Sequence, residues 1–300
     1  MNHILITGGS GLLGQKLTTE LLNRGYSVSH LSRHTGTHPN VKTFLWDVKN
    51  NIIDVNCIRG VDVIIHLAGE GIADGKWTHQ RKKDIINSRT KSIALVYSLL
   101  KTKPHKVKSV ISASGVGYYG DSGDILVTED SQPSKSFLGE CCVKWEKAVD
   151  KGTEFELRIV KFRTGVVLTT QGGALAKMAA PVKYGFGAVL GSGKQWVPWI
   201  HIEDAVNMYI LAVENEMIKG VYNMVAPLPV TNYQLTLAIA KQLERPLWLP
   251  HVPAFALNLF LGEMAVLVLG SNKVAANKIE KAGFTFKYLT VEDALEEIYG

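Results

Sequence analysis

The apolar positions of this chain recur in two periods. Residues 3–7 form a short apolar run closed by glycines. A helical spacing follows at Leu12, Leu13, Leu17, Leu21 and Leu22 and ends at Arg24 and Gly25, where glycine suits a helix C-terminus. Segments 26–31 and 41–46 read as the second and third strands. Residues 61–67, VDVIIHL, are continuously apolar, as in a strand covered on both faces. The pattern then predicts a long amphipathic helix over about 81–101, a strand over 107–113 and a loop to about 134. A helix around 140–149 and a strand over 155–160 complete this half. Such β-α-β alternation predicts an α/β protein with a doubly wound parallel sheet, right-handed crossovers and helices on both faces.

After Arg163 the texture changes. Glycines at 165, 172, 173, 185, 187, 191 and 193 punctuate a segment with few clear periods. Helices near 203–214 and 233–243 and a short strand at 220–225 come later. We expect two parts, 1–165 and a smaller α+β part at 166–300, with some later elements interleaved with the sheet. Residues 252–270, VPAFALNLFLGEMAVLVLG, are strongly apolar, but Asn258, Gly262 and Glu263 interrupt them. A spanning helix would bury Glu263 near mid-bilayer, which is expensive. Two short helices packed on a core, or a subunit contact, fit better. A membrane role is therefore disfavoured, and a homodimer stays open.

Composition narrows this picture. Three hundred residues, 46% hydrophobic and 20% charged, suit a soluble globular chain of one large or two unequal domains and exclude bulk disorder. The formal net charge is +6, and the densest basic patch, Arg81-Lys82-Lys83, is followed at once by Asp84. That argues against a nucleic-acid arm and for an anionic small ligand. Cys57, Cys141 and Cys142 cannot all pair and lack metal-ligand spacing, so no metal is expected and a reducing compartment is implied. The opening residues show no secretory signal, and the expected location is cytoplasmic.

Between the first strand and the first helix stands TGGSGLLG, comprising Thr7, Gly8, Gly9, Ser10, Gly11, Leu12, Leu13 and Gly14. It contains G-x-G-x-x-G in the strand–turn–helix setting that a dinucleotide requires. One glycine permits the sharp turn, another lets backbone N–H groups approach a pyrophosphate, and the last lets helix and strand pack closely. The end of the second strand selects the dinucleotide. An NAD site places an acid there, whereas this chain has Ser32 and Arg33 and no acid from Gly25 through Asn40. A hydroxyl followed by a guanidinium suits the 2′-phosphate of NADP. The plain alternative for Arg33 is a solvated surface charge.

Together TGGSGLLG, the strand-ending VIIHLAGEGI, SASGVGYYG, FRTGVVL and WIHIEDAV resemble the NAD(P)-dependent epimerase/dehydratase family, the extended short-chain dehydrogenase/reductases, over nearly the whole chain. The portion from LPHVPAFALNLFLGEMA through KAGFTFKYLTVEDAL is similar to one atypical branch. The resemblance implies a Rossmann domain that binds NADP(H) and a smaller part closing a cleft over the nicotinamide. It implies that Asp47 and Val48 lie near the adenine and that Leu67, Ala68, Gly69 and Glu70 turn beside the cofactor. It also implies that Asp84 and Arg89, in W-x-x-x-R-K-x-x-I-x-x-S-R, contact NADP and that Val167 lines the nicotinamide pocket. Read from the residues alone, Asp84 and Arg89 could equally be helix-surface charges.

The resemblance fails at the reacting centre. A working member needs a tyrosine, a lysine four residues later, and a Ser or Thr that holds the substrate oxygen. Counting back from Glu146 in FLGECCVKWE, these positions hold Leu138 and Cys142, and no other Y-x-x-x-K lies between Tyr119 and Gly165. The remaining catalytic candidates are Ser114, four residues before Tyr118, then Tyr118 itself, and Glu140 on the altered helix. Against them, Tyr118 and Tyr119 could be packing residues and Cys142 a small buried apolar group. The resemblance further implies that 172–201 lines a nucleotide-sugar cleft, with Lys177, Lys194, Trp196 and His201 as substrate-binding candidates. An ordinary surface loop, with His201 orienting it, is the alternative. The leading expectation is an NADP(H)-binding oxidoreductase or epimerase-like enzyme acting on a small polar substrate, with a nucleotide sugar among the candidates. The competing one is a non-catalytic NADP(H)-binding sensor or scaffold.

Overall fold

The computed structural model describes residues 3–36 and 38–300. Met1 and Asn2, which open the segment read for a secretory signal, and Thr37, in the acid-free stretch 25–40, lie outside the described residues. Strands of three or more residues are β1 (His3–Thr7), β2 (Ser27–Ser32), β3 (Lys42–Asp47), β4 (Val63–His66), β5 (Ser109–Gly115), β6 (Arg158–Thr164), β7 (Val166–Leu168), β8 (Trp199–His201) and β9 (Gly220–Met224). The helices are α1 (Leu12–Asn23), α2 (His79–Thr102), α3 (Phe137–Asp150), α4 (Gly173–Lys183), α5 (Ile202–Glu214), α6 (Asn232–Gln242), α7 (Ala254–Leu261), α8 (Val266–Leu269), α9 (Asn277–Lys281) and α10 (Val291–Tyr299).

Seven strands lie parallel in the order β9-β6-β5-β4-β1-β2-β3, and Ile52–Ile53 adds an antiparallel edge beside β3. This is a Rossmann-type sheet. Its order reverses between β1 and β4, and a crevice for ligands opens at such a switch point beyond the carboxyl ends of the strands. The residues explain the layering. On β1, Ile4 and Ile6 join the core under α1 and α5, while Leu5 between them joins the core under α2 and α3. Alternation along a strand sends successive side chains to opposite faces, so a helix layer on each face is required. A third core, with Leu175, Ala179, Leu235, Ile239 and Leu295, unites α4, α6 and α10.

Helix α1 ends where its glycine predicts. Gly25, at φ 81°, donates to the Leu22 carbonyl, and Tyr26 donates to that of Leu21, a Schellman closure. The strand expected at 155–160 instead begins at Arg158. Lys151–Phe155 forms a 3-10 turn, Glu156 is left-handed at φ 59°, and the Phe155 ring packs on Tyr97. Within the stretch read as lacking clear periods, Leu175, Ala179 and Val182 bury one stripe of α4. Glycine and proline at its ends disguise that spacing. Beyond residue 165 the chain returns to the sheet through β9 and covers it with α5, while Leu126–Val127 pairs with Lys273–Val274. The 252–270 stretch does make two short helices: Met264 and Leu267 pack against the cluster of Trp77, Ile85 and Cys141, while across α7, the turn Gly262–Ala265 and α8 only Ala265 is fully buried. Among the described residues no helix is long and apolar enough to cross a membrane.

Candidate functional site

The carboxyl ends of β1 and β4 meet at the switch point, with Thr7 beside His66. Gly8 turns the chain at φ 76°, and the Gly11 N–H closes the turn on the Gly8 carbonyl at 3.0 Å. A Cβ on Gly14 would stand 2.4 Å from that carbonyl oxygen, and one on Gly9 would stand 2.5 Å from Nε2 of His30. Helix α1 therefore starts as close to the sheet as backbone allows. Its N-cap, Gly11, supplies no side-chain acceptor, and its first turn holds no acid. The first N–H groups of a helix need partners, and here they face the crevice uncapped, which fits a pyrophosphate. Leu12 and Leu13, half-buried, begin this turn; Ser10 is exposed beside it.

Two turns flank the glycines. The Thr7 hydroxyl accepts the Ala68 N–H at 3.2 Å, and the Leu67 N–H bonds the Thr7 carbonyl at 3.0 Å, so the turn Leu67–Ala68–Gly69 is tied to the phosphate turn. Arg89 is buried, and its Nη1 and Nη2 donate to the carbonyls of Ile85 and Glu70 at 2.9 and 3.0 Å. It supports this turn from below and is no surface charge; a Cβ on Gly69 would meet its guanidinium at 3.0 Å. Glu70 pairs with Arg81. Asp84 accepts from Gln80 Nε2 at 2.9 Å on the half-buried helix surface. At the other end of the crevice Ser32 closes β2 and Arg33 stands exposed just beyond. Asp47 accepts the side chain and backbone N–H of Asn50 and the backbone N–H of Lys49. These bonds, Asn50 first, hold its carboxyl below the usual range, so the group is engaged by its own turn. Val48 packs against the core under α2 and α3. Val167, on β7, is half-buried beside Ile200 of β8.

The positions expected to hold the tyrosine and lysine, Leu138 and Cys142, lie against β5 and the turn that follows it. A Cβ on Gly117 would stand 3.0 Å from the Leu138 Cβ, and one on Gly115 would stand 3.7 Å from Cys142 Sγ. Glycines thus face both places, Gly115 at the end of β5 and Gly117 in the 3-10 turn Val116–Tyr118 that follows. Burial pushes the Cys142 thiol up to about 12, so it stays protonated. Around Leu138 gather Trp77, Phe137, Met264 and Leu267.

Ser114, one residue earlier on β5, is carried elsewhere. Register places Ser114, Arg163 and Asn223 abreast on β5, β6 and β9. The Ser114 hydroxyl donates to Glu146 Oε1 at 2.7 Å, and Arg163 grips the same carboxylate through Nε and Nη2 at 2.9 and 3.0 Å. Arg163 Nη1 also donates to the Tyr119 hydroxyl, which donates to Asn223 Oδ1 at 2.6 Å. The guanidinium lies 3.4 Å from the centre of the Tyr118 ring. Burial pushes the Tyr119 phenol up to about 12. A paired, buried carboxylate and guanidinium make a structural bracket between α3 and the sheet. Sequence reasoning used Glu146 only as a counting mark and missed the bracket. The available signal was Glu146 on the stripe Cys142, Trp145, Glu146 and Val149, where a lone acid on an apolar face requires a partner.

The other candidates are not brought to this group. Glu140 is exposed and sits 3.7 Å from Lys144, a solvated helix pair. His201 is buried as the N-cap of α5. Its Nδ1 accepts the Glu203 N–H at 3.2 Å, so Nε2 carries the proton toward Glu297 Oε2 at 2.9 Å. Its ring stacks on Tyr288. Trp196 Nε1 donates to Asp124 at 2.8 Å, and the Lys273 ammonium covers its ring. Lys177 and Lys194 are exposed. Among the described residues no cluster of His, Cys, Asp and Glu could hold a metal.

Residues 4–224 match the model of the NAD dependent epimerase/dehydratase family, and 252–298 match a domain of unknown function, DUF1731. The chain is 38% identical over 298 residues to the epimerase family protein YfhF of Bacillus subtilis, covering 99% of this chain and 97% of that one. It is 36% identical over 301 residues to the chloroplastic SDR39U1 homolog of Arabidopsis thaliana, covering 98% and 86%. The crystal structure of human epimerase family protein SDR39U1 with NADPH superposes at a TM-score of 0.87, with 30% identity and 99% of each chain covered.

Proposed function

The chain belongs to the NAD dependent epimerase/dehydratase family, in the SDR39U1/YfhF branch with its DUF1731 C-terminal segment, and from that premise we propose an NADP(H)-binding module without the family's acid–base step. The observation that carries this reading is the facing of Gly115 and Gly117 onto Cys142 and Leu138. Neither the Leu138 side chain nor the buried thiol of Cys142 can give or take a proton at neutral pH. When bound, NADPH supplies a hydride; a carbonyl that accepts one also needs a proton.

The chain's own residues account for binding. Backbone N–H groups of Ser10, Leu12 and Leu13, at the uncapped start of α1, hold the pyrophosphate. Ser32 and Arg33 take the 2′-phosphate, the hydroxyl as a short donor and the guanidinium as a fork. The Leu67–Gly69 turn, held by Thr7 above and Arg89 below, lines the cofactor at the switch point. NADPH bound to the human relative supports the same choice of dinucleotide.

The test pairs NADPH and NADH titrations with turnover on a panel of carbonyl compounds and nucleotide sugars. Binding at least tenfold tighter for NADPH, with no turnover, is expected. Turnover of any panel member returns the chain to the enzymes. Equal affinity for the two dinucleotides removes Arg33 from its role.

A further inference from the structure

Helix α7 is apolar at every position but Asn258, and this chain half-covers only Ala256, Leu257 and Leu261. Phe255, Leu259 and Phe260 are 75%, 78% and 76% exposed, and no residue of the helix is buried. Such a helix normally lies inside a protein. A second exposed apolar group adjoins its start. Tyr184, Phe186 and Trp248 are each more than half exposed, and the Trp248 indole N–H donates to the Gly185 carbonyl at 3.2 Å. The segment before α7 is laced to this group, since Val252 donates to Val189 and Gly191 donates to Val252 at 2.8 and 2.9 Å. Two residues after that lacing the apolar helix begins. Contiguous exposed apolar surface of this kind marks an interaction site.

Charge selects the occupant. The sequence holds no Asp or Glu between Glu156 and Glu203, nor between Glu244 and Glu263. Lys183 and Arg245 flank the aromatic group, joined by a bond from Arg245 Nε to the Lys183 carbonyl at 3.2 Å. Both are exposed, and among the described residues neither has an ion-pair partner within 4.0 Å. Of the flanking acids, Glu263 is paired with Lys82 and Glu244 is exposed. We propose that the lobe of residues 183–191 and 245–261 docks on an anionic lipid surface, with α7 lying in the headgroup layer and Trp248 at its boundary. The chain would rest on the bilayer without spanning it.

The test is co-sedimentation of the full chain with vesicles of phosphatidylcholine alone and of phosphatidylcholine with phosphatidylglycerol. At least tenfold stronger binding to the anionic vesicles, weakened by added salt, is expected. Phe255→Asp with Phe260→Asp should reduce that binding at least tenfold and leave NADPH affinity and thermal midpoint unchanged. Lys183→Glu with Arg245→Glu should erase the preference for anionic vesicles. No binding at millimolar lipid, or equal binding to both vesicles, overturns the proposal. So does a concentration-dependent dimer that Phe255→Asp disrupts in the absence of vesicle binding, which would assign the face to a second copy.

Discussion

Arg33 and Glu146 show how differently two charged residues act in this chain. Arg33 stands exposed past β2, where no acid competes for a phosphate. Arg33→Ala should weaken NADPH at least tenfold and leave NADH unchanged, in keeping with about 1.5–3 kcal/mol for a charge-assisted bond. Titration of both dinucleotides reads this directly; parallel losses would show a merely structural role. Glu146 is buried against Arg163. Glu146→Gln leaves that guanidinium uncompensated and should cost about 3–5 kcal/mol, seen as a lowered urea midpoint. Glu140→Gln, on an exposed pair, should stay within about 0.5 kcal/mol. Equal effects would contradict the bracket. His66, fully buried, donates from Nε2 to Ser92 and accepts the Trp145 indole N–H on Nδ1. Burial pushes it down to about 3. The unfolded chain therefore binds a proton that the folded chain refuses between about pH 6.5 and 3, so stability falls as pH drops through that window. The loss approaches about 1.4 kcal/mol per pH unit. His66→Gln should flatten the slope of stability between pH 6.5 and 5. An unchanged slope would mean that His66 titrates normally.

At the scale of elements, legibility followed contiguity. The β1–turn–α1 unit was readable because eight adjacent residues, Thr7 to Gly14, state its whole requirement, and Gly25 then closes α1. Its glycines are also the sharpest place to break it. Gly14→Ala would set a methyl 2.4 Å from the Gly8 carbonyl, and it should destabilise by about 1–3 kcal/mol while abolishing NADPH binding. Calorimetry would check both; retained affinity would show that the turn can shift. The Ser114–Glu146–Arg163–Asn223 bracket was not readable as a site. Its members come from β5, α3, β6 and β9, and only the register of three strands brings them abreast. For the same reason the offset from Tyr118 favoured Ser114, whereas the position facing Cys142 is Gly115. Helix α4 was hidden because glycine and proline read as breakers, although its stripe Leu175, Ala179 and Val182 is regular.

At the scale of the molecule, alternation predicts the doubly wound parallel sheet, and the observed strand order sets the switch point that opens a dinucleotide crevice at the carboxyl ends of β1 and β4. What the chain does with it depends on a few facing positions that no periodicity reports. Binding only to the folded state should raise the thermal midpoint as NADPH is added, by the linkage that gives about 2.7 kcal/mol at a hundredfold excess over Kd. The central claim is that this chain holds NADP(H) without a proton donor above it. A single-turnover experiment on the stoichiometric NADPH complex tests that most directly, following reduced nicotinamide after mixing with carbonyl compounds and nucleotide sugars. Without a proton donor the reduced signal decays no faster than in buffer. Substrate-dependent oxidation would contradict it, and its loss in Ser114→Ala would show that the buried bracket supplies the proton after all.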